Sequence, residues 1–229
     1  NVTDLLEAAS TATAALSNIK AQTATTYEIG TRGRRPDVTW DVALYRAWVK
    51  DELQLLVMPG FGGSAIAVNV PAAIHQGVEL GLSGTAWESP AGDRLTGRLS
   101  FTYGDYRFDN NPTYGNNQLP GAPPFYLRAE ARYATSGGFY IGPNLEWVPQ
   151  GYYVDNANNP AFMTAPYALL GVKAGYTGFK GVEIFVDARN LTNTMYVSNV
   201  GVITAATAAS QLYNPGDGAS VFAGIQARF

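Results

Sequence analysis

Residues 125–133 alternate without a break: Phe125, Leu127, Ala129, Ala131 and Tyr133 on one side, Tyr126, Arg128, Glu130 and Arg132 on the other. Strand side chains point to opposite faces with period two, so this segment is a strand with one apolar and one charged face. Leu95, Gly97, Leu99, Phe101 and Tyr103 against Arg94, Thr96, Arg98, Ser100 and Thr102 repeat the pattern. Each run is about ten residues long, whereas soluble strands average about five to six and a tilted strand crossing hydrocarbon needs about nine to eleven. Length and patterning together favour strands that span a membrane over those of a soluble sandwich.

Further runs follow the same rule. Val78, Leu80 and Leu82 oppose Glu79 and Ser83; Phe139, Ile141, Leu145 and Trp147 oppose Tyr140, Asn144 and Glu146; Val182, Ile184, Val186 and Ala188 oppose Glu183, Asp187 and Arg189. In the last nine residues Val221, Ala223, Ile225, Ala227 and Phe229 form an apolar face against Gln226 and Arg228, the pattern expected of a closing barrel strand. Tyr103, Phe125, Tyr133, Phe139, Trp147, Tyr167 and Tyr176 sit near strand ends, where amphipathic rings suit the two headgroup levels.

Composition narrows the functional classes. Only 14% of the 229 residues are charged, against roughly 25% in ordinary soluble domains. No apolar run reaches the length of a transmembrane helix, which leaves a barrel as the membrane option. With no Cys and His75 as the sole histidine, disulfides, thiolate or His-based zinc sites and Ser-His-Asp triads lack material, so no catalytic residue, metal site or cofactor is expected. A net charge of −3 gives no basic field for nucleic acid.

Turn signals divide the chain into about nine strands whose connections alternate in length. Short connections fall at 32–37, 87–93, 135–138 and 177–181; long ones fall at 58–73, 109–124, 151–165 and 191–218. Antiparallel strands shuttling between short periplasmic turns and long extracellular loops produce this pattern. The odd count places the residues before the first strand on the extracellular side and leaves two unpaired edges, a high cost in lipid. The expected organisation is therefore an extracellular loop segment at residues 1–24, with a short helix within 4–18, followed at 25–229 by the C-terminal part of a larger barrel. Even strand numbers point to a total of about 22, as in plugged transporters.

Four stretches carry a specific resemblance: Thr26 to Gly33, His75 to Glu79, Phe185 to Asn193 with Tyr196, and Tyr213 to Gly218 running on through Phe222 and Gly224 to Arg228 and Phe229. In this order they resemble the C-terminal half of TonB-dependent outer-membrane receptors. The resemblance implies an all-β, antiparallel up-and-down transmembrane barrel that is integral to a Gram-negative outer membrane. It also implies partners: a plug and N-terminal strands of the same receptor, the TonB complex acting through that plug, membrane lipid and a small ligand. The commonest cargo of such receptors is a ferric siderophore, with cobalamin, other metal chelates and oligosaccharides also open. A passive porin, a barrel enzyme and a soluble ligand-binding β-sandwich are the competing readings.

Two groups of residues are candidates for contact with ligand or plug. Arg98, Arg128, Glu130, Arg132 and Glu146 project on the charged face, where they suit a plug or an anionic substrate, and Glu28 and Glu79 share that parity. Asn110, Tyr114, Asn117, Tyr152, Tyr153 and Asp155 lie in long loops that mix Tyr with Asn and Asp, a composition suited to binding surfaces and also to ordinary turns. Neither loop has EF-hand spacing. Asn190 to Asn193 is expected to be a strand exit and turn, and Pro215 to Gly218 a turn setting the register of the last strand.

Overall fold

The computed structural model describes residues 19–58 and 65–228. The expected helix within 4–18 and Phe229 lie outside the described residues, as does most of the expected loop segment. The strands are β1 (Thr23–Arg35), β2 (Val38–Val57), β3 (Ala65–Glu88), β4 (Arg94–Phe108), β5 (Phe125–Ala134), β6 (Phe139–Val148), β7 (Tyr167–Phe179), β8 (Val182–Arg189), β9 (Val197–Val200), β10 (Tyr213–Pro215) and β11 (Ser220–Ala227). Nine of them form one antiparallel up-and-down sheet in the order β1-β2-β3-β4-β5-β6-β7-β8-β11, and β9 and β10 make a separate hairpin. The sheet does not close: among the described residues β1 pairs only with β2, and β11 only with β8.

Register fixes the two faces. Arg98 stands opposite Glu130 and Arg128 opposite Glu146, while Leu99 stands opposite Ala129 and Leu127 opposite Trp147. The charged residues share the concave side, and the apolar set covers the outside with no second sheet against it among the described residues. Outward aromatic residues recur eight positions apart on three strands: Trp40 and Trp48, Phe125 and Tyr133, Phe139 and Trp147. Eight residues span about 26 Å along a strand, or about 20 Å in height at a tilt near 40°, close to the roughly 25 Å apolar band of outer-membrane barrels. Neighbouring rings extend these rows, with Tyr103 and Phe125 centred 4.8 Å apart and Phe139 and Tyr176 4.5 Å apart. Tyr167 departs from the expected girdle. It stands opposite Val148, one position off the outward Trp147 and Ala168 pair, so its ring faces inward, where its hydroxyl donates to Glu146.

The four short connections lie at one end of the sheet. Pro36–Asp37 and Lys180–Gly181 are two-residue turns, the latter with φ +72° at Gly181, a backbone angle that glycine adopts without steric cost. Residues 109–124, 149–166 and 190–219 lie at the other end. The first long connection is shorter than its expected span of 58–73, because β2 and β3 continue pairing to Val57 and Ala65 and leave only 58–64 between them. Ala65 to Ile74 is nearly all apolar, so it lacks the alternation that marks the other strands. Ile66, Val70, Ala73 and Ile74 are buried there.

One local feature reorients β2. Ala47 and Val49 are buried with Ala73 beneath Leu119, yet two positions beyond Lys50 it is Glu52 that reaches His75 and Gln54 that reaches Asn156. The inward set thus changes from odd to even numbers at Asp51, whose φ is +50°. Across from it lies Pro71, which has no N–H to give the ladder.

Candidate functional site

The concave face holds a trough of about 1210 Å³. Adjacent strands aim the charged side chains at one another: Arg98 approaches Glu130 at 3.8 Å, and Arg128 approaches Glu146 at 3.4 Å. The Arg132 guanidinium lies 3.8 Å from the centre of the Tyr140 ring, and the Tyr140 hydroxyl donates to Glu183 at 2.6 Å. All five residues expected on this face therefore lie on it, together with Glu183, Asp187 and Arg189, which the alternation placed on the polar side of their strand, and Lys173, which the sequence reading did not name. The Arg98 and Arg128 side chains are 72% and 67% exposed, so their ion pairs contribute little, about 0 to 1 kcal/mol each. These heads are free to re-pair with a group entering the trough.

The long connections build a cap over one end. Val154, Ile203, Ala206 and Leu212 form a small apolar core against Val57, Phe162 and Val200. Asp155, fully buried, accepts the Ala206 N–H at 2.7 Å and the Asn159 N–H at 2.9 Å. Asn156 and Gln54 exchange side-chain amide bonds of 2.9 and 3.0 Å, which ties the cap to the extension of β2. Asn117 donates to the Asn156 carbonyl, and Asn158 both accepts from and donates to the Gln118 backbone. The cap and trough meet at Tyr196 and Asp217, which line the same space.

The six loop residues expected to meet ligand are thus split. Tyr152 is buried, and its burial pushes its phenol pKa up. Asp155 is the hub of the cap, Asn117 is turned toward Asn156, and Tyr153 accepts the Gly121 N–H at its carbonyl while its side chain stays half-buried. Asn110 and Tyr114 belong to a separate turn closed by Asn111, whose side-chain oxygen accepts the Thr113 and Tyr114 N–H groups. Asn110 is exposed, and Tyr114 rests on the buried Phe108 with ring centres 5.3 Å apart. Asn190 to Asn193 forms the expected turn: Asn190 is buried with three side-chain hydrogen bonds, and Asn193 has φ +49°. Pro215 belongs to β10, and the turn into β11 follows it. No cluster of three or more His, Cys, Asp or Glu suited to a metal occurs among the described residues.

A family model described as TonB dependent receptor-like, beta-barrel, matches residues 2–191. Similar solved structures include the ferric yersiniabactin uptake receptor FyuA from Yersinia pestis, at 20% identity and a TM-score of 0.70, covering 91% of this chain and 30% of that one. The copper transporter OprC matches at 20% identity and a TM-score of 0.71, with 94% and 32% covered. The siderophore receptor PiuA from Acinetobacter baumannii matches at 20% identity and a TM-score of 0.66, with 89% and 28% covered. At this identity the likeness concerns the fold, and the chain spans about a third of the length of these structures.

Proposed function

The chain belongs to the TonB-dependent receptor-like β-barrel family, and from that premise we propose that it is the C-terminal wall of an outer-membrane transporter for energised uptake of a scarce ligand, a ferric siderophore. The observation that carries this reading is the polar trough on the inner face of a lipid-patterned sheet, continuous with a cap built by the long connections. Residues 25–229 supply wall, lumen lining and part of the vestibule, and residues 1–24 belong to an extracellular loop. The unpaired sides of β1 and β11 receive strands from the rest of the receptor, closing a barrel of about 22 strands, because an open edge leaves backbone groups unsatisfied in lipid. Arg98, Arg128, Glu130, Arg132 and Glu146 face the plug, which couples to TonB. Ligand meets the members of the loop set that stay accessible, the exposed Asn110 and the half-buried Tyr114 and Tyr153. The protein acts as a transporter and not as an enzyme.

Uptake by the full-length receptor tests this. Deleting it abolishes iron-limited growth on its siderophore, and uptake stops when the proton-motive force is collapsed. Uptake that persists without that force would mark a passive pore, and rescue only by cobalamin, copper chelates or oligosaccharides would reassign the cargo. For orientation, cysteines at Asn116, Asn158 and Ala208 are labelled on intact cells and those at Gly137 and Gly178 are not. Ala208 is exposed, whereas the neighbouring Ala206 is buried and unsuited to labelling.

A further inference from the structure

β2 and β3 go on pairing with each other after their neighbours have stopped. β1 follows β2 as far as Lys50 and β4 follows β3 as far as Ala73, so residues 52–57 and 65–70 form a two-stranded arm beyond the nine-stranded sheet. The arm starts at the parity change of Asp51, whose φ is +50°. Its far end bears on the cap: the Val57 N–H donates to the Val202 carbonyl at 2.7 Å, Val57 packs on the cap's apolar core, and Gln54 exchanges amide bonds with Asn156. The position of the arm therefore sets the position of the cap.

At the base of the arm, Glu52 Oε2 lies 3.1 Å from His75 Nε2, with the His75 and Glu52 side chains 29% and 16% exposed. The other ties at the base are amide contacts, from Asn69 to the Lys20 and Asp51 carbonyls and from the Leu53 N–H to Gln22, and an exposed approach of Lys20 to Asp51 at 4.0 Å. Of these side-chain types only imidazole changes charge between about pH 5 and 8. Opposite His75 on β4 stands Tyr106, with ring centres 5.0 Å apart, and the Tyr106 hydroxyl bonds the Tyr45 hydroxyl of β2. Glu79 shares the inner face of β3, and Leu119 covers Ala47, the β2 partner of His75. Arg46, Lys50, Asp105 and Arg107 take the outward parity. A protonated His75 thus meets carboxylates and aromatic faces, each of which attracts a cation.

We propose that Glu52 and His75 form a proton-operated clamp that holds the arm, and with it the cap, over the inner face. An N⁺–H···O⁻ bond is roughly twice as strong as its neutral counterpart, so the charged imidazole grips Glu52 harder than the neutral one does. A docked arm gains only what that difference supplies. Docking is therefore favoured as the pH falls through the imidazole range and is relaxed as the pH rises through it, when the arm turns about Asp51. That the arm meets the external medium rests on the outer-membrane reading.

Full-length receptor in lipid vesicles tests it. Spin labels are placed through Leu55→Cys, exposed on the arm, and Val186→Cys, exposed on the outer face of β8, and their separation is read by pulsed dipolar spectroscopy at about pH 5.5 and about pH 8. The docked-to-released ratio of the otherwise wild-type receptor falls about fivefold from the lower pH to the higher. His75→Gln and Glu52→Gln each give a ratio that does not change with pH, whereas His75→Arg, a fixed cation, keeps the arm docked at both. A ratio indifferent to pH in the receptor with Glu52 and His75 intact overturns the clamp, as does a full pH response surviving in His75→Gln. The first comparison decides without altering either residue. Heat-modifiable migration is scored alongside: a receptor that never migrates as a barrel defeats the transporter reading, whereas a folded barrel with a pH-indifferent arm defeats this proposal alone.

Discussion

The Tyr140 phenol on β6 lies directly over Gly175 on β7: a Cβ at Gly175 would stand 2.5 Å from the Tyr140 hydroxyl oxygen. The two are cross-strand partners, and the motif repeats two strands further on, where Phe185 on β8 covers Gly224 on β11. Each ring fills the space that its partner glycine leaves on the inner face. Each is also capped by a cation, Arg132 over Tyr140 and Lys173 over Phe185.

Gly175→Ala is therefore expected to push Tyr140 off its site and break its hydrogen bond to Glu183. The cost is about 1 to 3 kcal/mol, typical of overpacking in a filled space. Urea-driven unfolding of the full-length receptor in lipid vesicles measures it. Gly97→Ala, where the nearest neighbour of an added Cβ is the Glu130 carbonyl at 3.8 Å, is the tolerated control.

Depth dependence follows from the aromatic rows. On β5 the rings of Phe125 and Tyr133 mark the two interfaces, so Ala129, midway between them, lies at the centre of the apolar band. Arg in place of Ala129 is expected to cost about 2 to 4 kcal/mol, with Leu127→Arg and Ala131→Arg less and Phe125→Arg near zero to 1. A flat profile across the four positions would contradict the membrane placement of this strand.

The ease of reading β4, β5 and β6 and the difficulty of β2 and β3 have one cause. Alternation is visible when one face meets lipid and the other meets polar lumen, as at Leu127 and Arg128. Beyond Pro71, β3 carries apolar residues at both parities, with Ile66, Ala67 and Val70 buried, and Ala65 to Val70 shows no period. The parity change at Asp51 depends on a backbone angle that composition does not announce. In the trough, Arg98, Arg128, Glu130, Arg132 and Glu146 were legible because parity alone places them. Tyr196 and Asp217 were not, since only folding of the 190–219 connection brings them there. Asp155 resembles a ligand contact in a Tyr- and Asn-rich loop, but its partner Ala206 is 51 residues away.

At the short-turn end, Asp93 joins two turns. Its carboxylate accepts the Ser136 N–H at 2.8 Å and the Tyr133 hydroxyl at 3.3 Å, so the 89–93 turn is fastened to the 135–138 turn. The Ser136 N–H holds the Asp93 carboxyl below its ordinary value. A depressed pKa means the contact stabilises the folded state above the unfolded carboxyl value, about 3.9, and is lost as the pH falls through the lower folded value. Carboxyl titration by NMR should give a midpoint below that of a free aspartate, with the Ser136 amide proton shifting at the same midpoint. Ser136→Pro, which removes the donor, should return the midpoint toward the ordinary range.

The cap offers the sharpest separation of loop order from barrel stability. Asp155 satisfies the backbone N–H groups of Ala206 and Asn159 from a site with no solvent exposure. Asp155→Ala leaves both donors without a partner, at about 1 to 3 kcal/mol for each buried group. Asp155→Asn keeps one oxygen and presents an amide N–H to the other donor, so it should fall between wild type and alanine. Because the cap contacts the sheet mainly through Val57, Gln54 and the trough rim, that loss is expected to free residues 203–212 without unfolding the strands. Limited proteolysis of intact cells should then cut within 203–212 in the alanine variant, less in the asparagine variant and not in wild type, while heat-modifiable migration stays unchanged in all three. Identical cleavage in all three would show that Asp155 does not hold the cap, and loss of heat-modifiability would show that cap and barrel fold as one unit.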